Sequence, residues 1–441
     1  MSERDATGAL LGDQPEAAAL SWAPTRAAGL QRMDAFASRM GRAYAGKRNY
    51  DYGPERRSNV SALSPWVRYR LILETEVLRA ALARHAPSVC DKFVQEVFWR
   101  AYFKGWMEQR PICWRRHQSQ LRTHLQTLGA DANLKRRVEE AEEGRTGIEC
   151  FDAWARELVE IGYLHNHTRM WFASIWIFTL QLPWDLGADF FYRHLLDGDP
   201  ASNTLSWRWV AGLHTKGKTY LARPSNIERY TDGRFTPTGL AEAADPLIET
   251  EEMERTLLPA ADPWPDPRAG TAMGLLITGE DCAPEIDWAP ADFAPSAIAA
   301  ISAIAGRSPR PIGKAAARFD KAALEDAAAR ATSAFGAPAI QLQPKAAAGE
   351  DGADWLDAWT DAALSWAQET GLTHIVTPYA PVGPAADAIA HARPRLAEAG
   401  VGLSVVRRRY DAAAWPHAKA GFFGLKKKIP QILADVGLAE G

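Results

Sequence analysis

Residues 196–209 read LDGDPASNTLSWRW and carry the most informative pattern in the chain. Asp197 and Asp199 flank a glycine in a tight connection ahead of an expected helix. Their spacing does not continue as in a calcium loop, so we expect them to hold an arginine or to accept N–H groups of a ligand. Asn203 and Trp207 are four residues apart and share a helix face. An amide that both donates and accepts suits a cofactor atom whose protonation changes with redox state.

A second pattern lies upstream, where Glu96, Trp99, Arg100 and Phe103 recur at helical spacing and form one stripe. An acid, an indole and a guanidinium on one stripe suit a cavity for a planar, partly charged ligand. The alternative is a surface Glu–Arg pair beside a half-buried tryptophan.

The run from His165 to Met170 begins another helix and places Asn166, Arg169 and Met170 on one side. Adjacent histidines suggest a metal, but no third ligand follows at helical spacing. The four cysteines are spread too widely for a zinc or cluster motif. We therefore expect no metal site.

The composition is that of an ordinary globular protein: 441 residues, 47% hydrophobic and 24% charged. This excludes disorder of the whole chain. No apolar run is long enough to span a membrane and no signal peptide is apparent, which predicts a cytoplasmic protein without a membrane partner. Net charge is +6 over residues 1–235 and −9 over 236–441. A basic first half permits a polyanionic partner such as nucleic acid.

The patterning divides the chain into three parts. Residues 1–235 show helical periodicity from Pro24 to Lys47, from Pro65 to Arg84, from Ser88 to Gln109 and from Cys150 to Leu182. Residues 236–270 hold six prolines and form a linker. Residues 271–441 alternate apolar runs with Ala-rich helices, which predicts a small, Rossmann-like parallel α/β domain. The predicted strands are Met273–Thr278, Ala339–Leu342, His374–Pro378 and Gly402–Val406. The fold class is thus multidomain, an all-helical bundle followed by an α/β domain.

Seven short motifs, taken in chain order from about residue 22 to 210, resemble the FAD-binding helical domain of the DNA photolyase and cryptochrome family. They are Ser61-Ala62-Leu63-Ser64-Pro65, Gln95 to Arg100, Arg145-Thr146-Gly147, His165-Asn166 to Arg169-Met170, Trp184, Asp197-Gly198-Asp199, and Asn203 with Trp207. The resemblance implies an FAD cofactor. It places Asn203 opposite flavin N5, pairs Arg169 with Asp197, and sets Asp199 on the flavin or adenine side. The implied cofactor residues are Tyr44, Ser61, Ala62, Leu63, Ser64, Arg100, Asn166, Arg169, Asp197, Asp199 and Asn203.

The resemblance also implies a route for electrons. Trp207 matches the tryptophan beside the flavin in the family's photoreduction chain, and Trp184 matches the middle member. No tryptophan lies between Arg115 and Asp152, where the outer member is usual. The candidates for that place are Trp114, Trp176 and Tyr163.

The implied activity is light-driven splitting of cyclobutane pyrimidine dimers in DNA by an electron from excited, reduced flavin. Glu96, Trp99, Asn166, Met170 and Trp209 match positions that contact the flipped dimer, and Arg100, Lys216 and Lys218 are candidates for DNA phosphates. Asn166 and Met170 stand where the (6-4) branch has histidines, which favours dimer repair. The expected catalytic residues are Glu96, Asn203, Trp207 and Trp184. A cryptochrome-like blue-light photoreceptor with a signalling partner is the alternative; a non-enzymatic helical protein is a third.

Two departures from the family pattern are informative. Val60-Ser61-Ala62-Leu63-Ser64 lacks a hydroxyl and an arginine that the family carries there, so Arg56 or Arg57 is expected to substitute. The family's α/β antenna domain precedes the FAD domain, whereas here residues 363–433 resemble its latter half. We infer an antenna-like domain moved to the C-terminus, with any second chromophore unidentified. The run Lys426–Lys428 is interpreted as a solvated helix end.

Overall fold

The computed structural model describes residues 22–265, 271–344 and 354–438. Within the described chain the part before residue 265 is helical and contains no strand, as the periodicity predicts. No helix among the described residues is long and apolar enough to cross a bilayer. The helices of this part are α1 (Arg26–Ala37), α2 (Arg42–Lys47), α3 (Ser64–Arg68), α4 (Glu74–Leu82), α5 (Pro87–Glu108), α6 (Ile112–Ala130), α7 (Ala132–Glu142), α8 (Glu149–Ile161), α9 (Asn166–Ser174), α10 (Trp184–His194), α11 (Pro200–Val210) and α12 (Pro224–Tyr230).

Three of the predicted helices are each interrupted. The segment 24–47 divides into α1 and α2, and 65–84 divides where Arg70 takes a positive φ of 50°. The segment 150–182 breaks at Gly162, whose left-handed conformation caps α8, and ends in a π-helical turn after α9. Apolar periodicity persists across such turns because both flanking helices face the same core, so the sequence pattern alone did not locate them.

Residues after 271 form the predicted parallel sheet. The strands are β1 (Met273–Thr278), β2 (Ala297–Ile301), β3 (Ala339–Leu342), β4 (His374–Pro378) and β5 (Gly402–Val406), and the helices are α13 (Lys314–Phe335), α14 (Asp354–Glu369), α15 (Pro384–Glu398), α16 (Arg409–Ala414), α17 (Phe422–Lys426) and α18 (Ile429–Asp435). Four strands have the predicted bounds. β2 was missed because three of its five residues are alanine, a weak strand former that is nevertheless buried here.

The strand order β3-β2-β1-β4-β5, all parallel, is that of a doubly wound sheet. The order reverses between β1 and β4, and ligands of such sheets usually bind at the strand ends beside this point. Here β1 leads into Glu280 and Asp281, whose carboxylates are buried against cations of the helical part. This crevice is therefore occupied by protein side chains.

A buried chain of ion pairs connects the two parts. Arg68 contacts Glu280 at 2.7 Å, Lys104 contacts the same carboxylate at 3.4 Å, and Arg70 contacts Asp411 at 2.6 Å. The connected set balances five cations against five carboxylates: Arg68, Arg70, Arg100, Lys104 and Arg408 with Glu74, Asp199, Glu280, Asp281 and Asp411. Buried charges are tolerated only when paired in this way.

The apolar core is also shared. Trp66, Phe98 and Tyr102 of the helical part belong to one buried cluster with Leu275 and Trp415 of the α/β part. α5 approaches the 415 segment so closely that a Cβ at Gly105 would lie 2.8 Å from the Cα of Trp415. The boundaries at 235 and 270 thus separate two architectures, while one core runs through both.

The Asp411→Asn variant tests this connection. Removing the negative charge of Asp411 leaves the buried Arg70 guanidinium with less opposing charge. This loss lowers the free energy of unfolding by about 3 kcal/mol. We expect a clearly lowered midpoint of urea unfolding. Asp361→Asn, in an exposed pair with Arg395, is the matched control and should change the midpoint little. Equal midpoints for both variants would contradict the importance of the buried chain.

Candidate functional site

Asp199 begins α11 and is saturated by protein partners. One oxygen accepts the backbone N–H of Ser202 at 2.9 Å, which caps the helix, and the other pairs with Arg100 at 3.3 Å and Lys104 at 3.4 Å. Burial alone would raise the pKa of Asp199, but Lys104 and Arg100 hold it well below its usual range. Asp199 therefore positions α11 against α5; the contact with FAD that the resemblance implied is not needed to satisfy it.

Asp197, unlike Asp199, has one carboxylate oxygen without a hydrogen-bond partner. Arg169 donates to one of its oxygens at 2.8 Å, the pair that the resemblance implied, and also donates to the Leu164 carbonyl. The other oxygen, Oδ1, is buried without any hydrogen-bond partner. A buried carboxylate oxygen left unsatisfied is costly, so this oxygen is available to accept a hydrogen bond from a water or a ligand.

The Arg169 side chain keeps part of its surface accessible. Burial would lower the pKa of its guanidinium, but Asp197 raises it overall. Because a quarter of the side-chain surface is accessible, the group can contact a ligand as well as Asp197.

Asn203 lies one turn into α11 and is oriented by the backbone. Its Nδ2 donates to the Ala188 carbonyl of α10 at 2.8 Å. The amide oxygen receives no hydrogen bond from the described residues. The side chain is thus fixed with its acceptor available, as a partner for a ring N–H requires.

Trp207 is buried one turn further along α11 and packs edge-to-face on Trp176 at 6.2 Å and on Phe191 at 5.1 Å. A Cβ at Gly187 would lie 2.4 Å from its ring, so only glycine permits this approach. Trp184, the expected middle member of the electron route, instead stacks on His117 at 5.2 Å. Among the described aromatic pairs, Trp176 is the indole in contact with Trp207.

The expected lesion-contacting residues lie on α5, α9 and α11, and α5 and α9 both pack on α11. Glu96 forms an ion pair with Arg48 of the segment after α2. Burial raises the pKa of Glu96, while Arg48 opposes the rise. Asn166 is exposed and Met170 half-buried.

Trp99 and Trp209, which are expected to contact the flipped dimer, pack on aromatic side chains of the protein itself. Phe422 of α17 stacks on Trp99 with ring centres 3.9 Å apart and planes 11° apart, while Trp209 packs on Tyr220. Each indole already has an aromatic neighbour. Phe422 was not predicted, because it lies more than 300 residues from Trp99 in the chain.

The loop expected to hold FAD phosphates is organised by a residue that the sequence did not reveal. Arg32 of α1 donates to the carbonyls of Ser61 at 2.7 Å and Val60 at 2.8 Å. Ala62 takes a positive φ of 50°, and its side chain is buried, as is that of Leu63. These two residues offer a ligand only their backbone, whereas Ser61 and Ser64 are partly exposed.

Other expected groups are already engaged. Tyr44 packs edge-to-face on Phe36 and Phe93, and burial raises the pKa of its hydroxyl. Arg57, proposed as a substitute phosphate ligand, pairs instead with Glu157. Arg56 is exposed and lies over the Tyr52 ring, so it remains the free candidate.

The adjacent histidines have a structural explanation. The His165 ring donates to the Arg48 carbonyl at 3.0 Å, and the His167 ring donates to the Asn49 carbonyl at 2.8 Å. Burial lowers the pKa of His165 to about 4. These neutral rings fix the start of α9 against the segment that carries Arg48.

Residues 93–246 match the family model described as FAD binding domain of DNA photolyase. A deoxyribodipyrimidine photo-lyase of Synechococcus sp. is 31% identical over 180 residues, which cover 36% of this chain and 35% of the relative. The Streptomyces griseus enzyme of the same name is 32% identical over 156 residues, covering 35% and 32%. The chain spans about a third of the length of these relatives.

Two solved structures are similar over part of the chain. A cryptochrome of Synechocystis sp. covers 49% of this chain and 45% of its own, with 24% identity and a TM-score of 0.41. A class III photolyase of Agrobacterium tumefaciens covers 48% and 43%, with 27% identity and a TM-score of 0.37.

The orphaned oxygen of Asp197 and the fixed amide of Asn203 fit a ligand with ring N–H groups such as FAD, and both lie within the matched residues. Residues 93–246 are similar to the FAD-binding domain of DNA photolyase, and over this part the chain resembles the photolyase/cryptochrome family.

Proposed function

We propose that this protein is a light-driven DNA photolyase that splits cyclobutane pyrimidine dimers. The observation that carries the proposal is the pairing of two unsatisfied acceptors around α11, the buried Oδ1 of Asp197 and the oriented amide oxygen of Asn203. When bound, reduced FAD excited by near-UV or blue light supplies one electron to the dimer and accepts it back after the ring splits.

The residues of this chain bind and orient the cofactor in the proposal. Asp197 accepts a flavin N–H through Oδ1, while Arg169 balances its charge. Asn203 would accept a hydrogen bond from the cofactor with its amide oxygen, because the Ala188 carbonyl holds the amide nitrogen. Tyr44 and the 61–64 loop lie towards the phosphates and ribitol, with Ser61 and Ser64 as the hydroxyl donors.

Trp207 supplies electrons when the resting cofactor is oxidised. Its buried ring contacts Trp176, which gives a first hop through two indoles in contact. Trp184 and Trp114 both lie against His117 and form a separate aromatic cluster. The role of Trp184 as the second electron donor stays a prediction, and Trp176 is the competing candidate for this role.

The lesion enters beside α5 in the proposal. Glu96 donates a hydrogen bond to a dimer carbonyl when it is protonated, and its raised pKa favours that form. Entry of a flipped base requires that Phe422 leave the face of Trp99. Asn166 and Met170 of α9 complete the proposed contacts.

The second candidate is a cryptochrome-like photoreceptor that binds FAD and signals through a partner. The stacked Phe422 and the Glu96–Arg48 pair favour it, since both occupy groups that a lesion would need. Repair under illumination distinguishes the two functions.

The electron route is tested with single Trp→Phe variants. Trp207→Phe should nearly abolish blue-light reduction of FAD in the presence of an external reductant, because phenylalanine is much harder to oxidise. Trp176→Phe should slow the reaction more than Trp184→Phe. Trp154→Phe, a buried indole that packs on Trp171, is the control. Wild-type kinetics in Trp207→Phe would remove it from the route.

Repair is tested on an oligonucleotide with one thymine dimer. Illumination should restore intact thymines, and Glu96→Ala should lower the rate by about 10- to 100-fold, the value of a lost buried hydrogen bond. Because the raised pKa keeps Glu96 protonated below it, wild-type repair should fall as pH rises through that pKa. Glu96→Gln, which donates at every pH, should show no such fall. Photoreduction without any repair would favour the photoreceptor.

A further inference from the structure

Of the two lysines expected at the DNA-facing rim after Trp209, Lys216 is paired with a carboxylate, while Lys218 forms no ion pair among the described residues. Two arginines near this rim are also paired. Arg208 pairs with Glu249 at 2.7 Å, Arg116 pairs with Glu251 at 2.9 Å and Lys216 pairs with Glu252 at 3.2 Å. All three carboxylates belong to the linker, which lies across this rim. The rim therefore offers DNA little free positive charge.

Positive charge without ion pairs lies on residues 412–434, a segment that also packs on α5. This segment contains four lysines and no acidic residue, although the half of the chain that holds it is acidic overall. The lysines are Lys419, Lys426, Lys427 and Lys428. None of them forms an ion pair with a carboxylate of the described residues. The only side-chain hydrogen bond of Lys428 within the described chain is to Gln431.

An exposed aromatic ring stands among these lysines. Phe423 is 74% exposed and is the only aromatic residue among the large hydrophobics that are exposed in the described chain. Its neighbour Phe422 stacks on Trp99, and the two phenylalanine rings are 6.4 Å apart. A line of rings thus runs from the candidate lesion site to the surface.

We propose that residues 412–434 form the nucleic-acid-binding surface of this protein, with Phe423 stacking on an unpaired base and the four lysines contacting phosphates. The proposal rests on the proposed function, because it supplies phosphate contacts beyond Lys218, the rim lysine that has no ion pair among the described residues. Aromatic rings bordered by cations bind single strands in this way, since every base has a π-face and every nucleotide a charge. Binding to a lipid surface requires more exposed apolar area than one aromatic ring provides.

The test measures binding of a fluorescent oligothymidine strand to the full-length FAD protein by anisotropy at several salt concentrations. Phe423→Ala should weaken binding about tenfold, the usual effect of losing one stacked base. The double variant Lys427→Gln and Lys428→Gln should lower the slope of log K against log salt by about 1.4, since each single-strand phosphate contact contributes about 0.7.

Matched controls separate this surface from general effects. Leu257→Ala removes another exposed apolar side chain, Lys321→Gln removes an exposed lysine on α13, and Lys216→Gln removes a rim lysine. All three should leave affinity and salt slope near the wild-type values. FAD bound per chain, read from absorbance, verifies that every variant is folded.

The proposal is overturned if Phe423→Ala and the double lysine variant bind the strand as tightly as the controls. It is also overturned if Lys216→Gln loses more affinity than Phe423→Ala or the double lysine variant. Binding of the wild type to phosphatidylserine vesicles but not to the strand would overturn it as well. The proposed function fails separately. If the wild type binds the strand through this surface but light restores no thymines, the binding surface is supported and the proposed photolyase activity is contradicted.

Discussion

The Asp199 carboxylate is the constraint on which the rest of the structure depends. It caps α11 through the Ser202 N–H and receives Arg100 and Lys104 from α5, so one group fixes the two helices that carry Asn203, Trp207, Glu96 and Trp99. Lys104 also forms an ion pair with Glu280, which follows β1. The same buried chain of ion pairs that aligns the candidate flavin site therefore also holds the sheet against it.

This arrangement gives the α/β part a role in the site itself. Its switch-point crevice receives Arg68 and Arg70 from the helical part, and its α17 places Phe422 against Trp99. The likeness of residues 363–433 to an antenna domain stays a prediction. In the proposed function this part shapes access to the lesion through Phe422 and, through its lysines, the charge around that opening.

The sequence predicted what local pattern encodes. Apolar runs located four strands to the residue, and the spacing in residues 197–207 placed Asp197 before one helix and Asn203 with Trp207 on it. The sequence pattern could not predict contacts between distant segments, because no helix or strand periodicity connects the residues involved. Examples are Arg32 on the carbonyls of residues 60 and 61, Arg48 on Glu96, and Phe422 on Trp99. Asp199 shows the same limit, since the sequence left open an arginine or a ligand N–H as its partner, and only the fold identifies Arg100 and Lys104.

The central claim is that a flavin sits between α9 and α11 with N5 at the Asn203 amide. A crystal structure of the protein grown with FAD tests it most directly. We expect an isoalloxazine whose N5 edge meets Asn203 Oδ1 and whose ring N–H reaches Asp197 Oδ1. A chain that takes up no FAD at saturation, or one in which side chains fill that space, would contradict it.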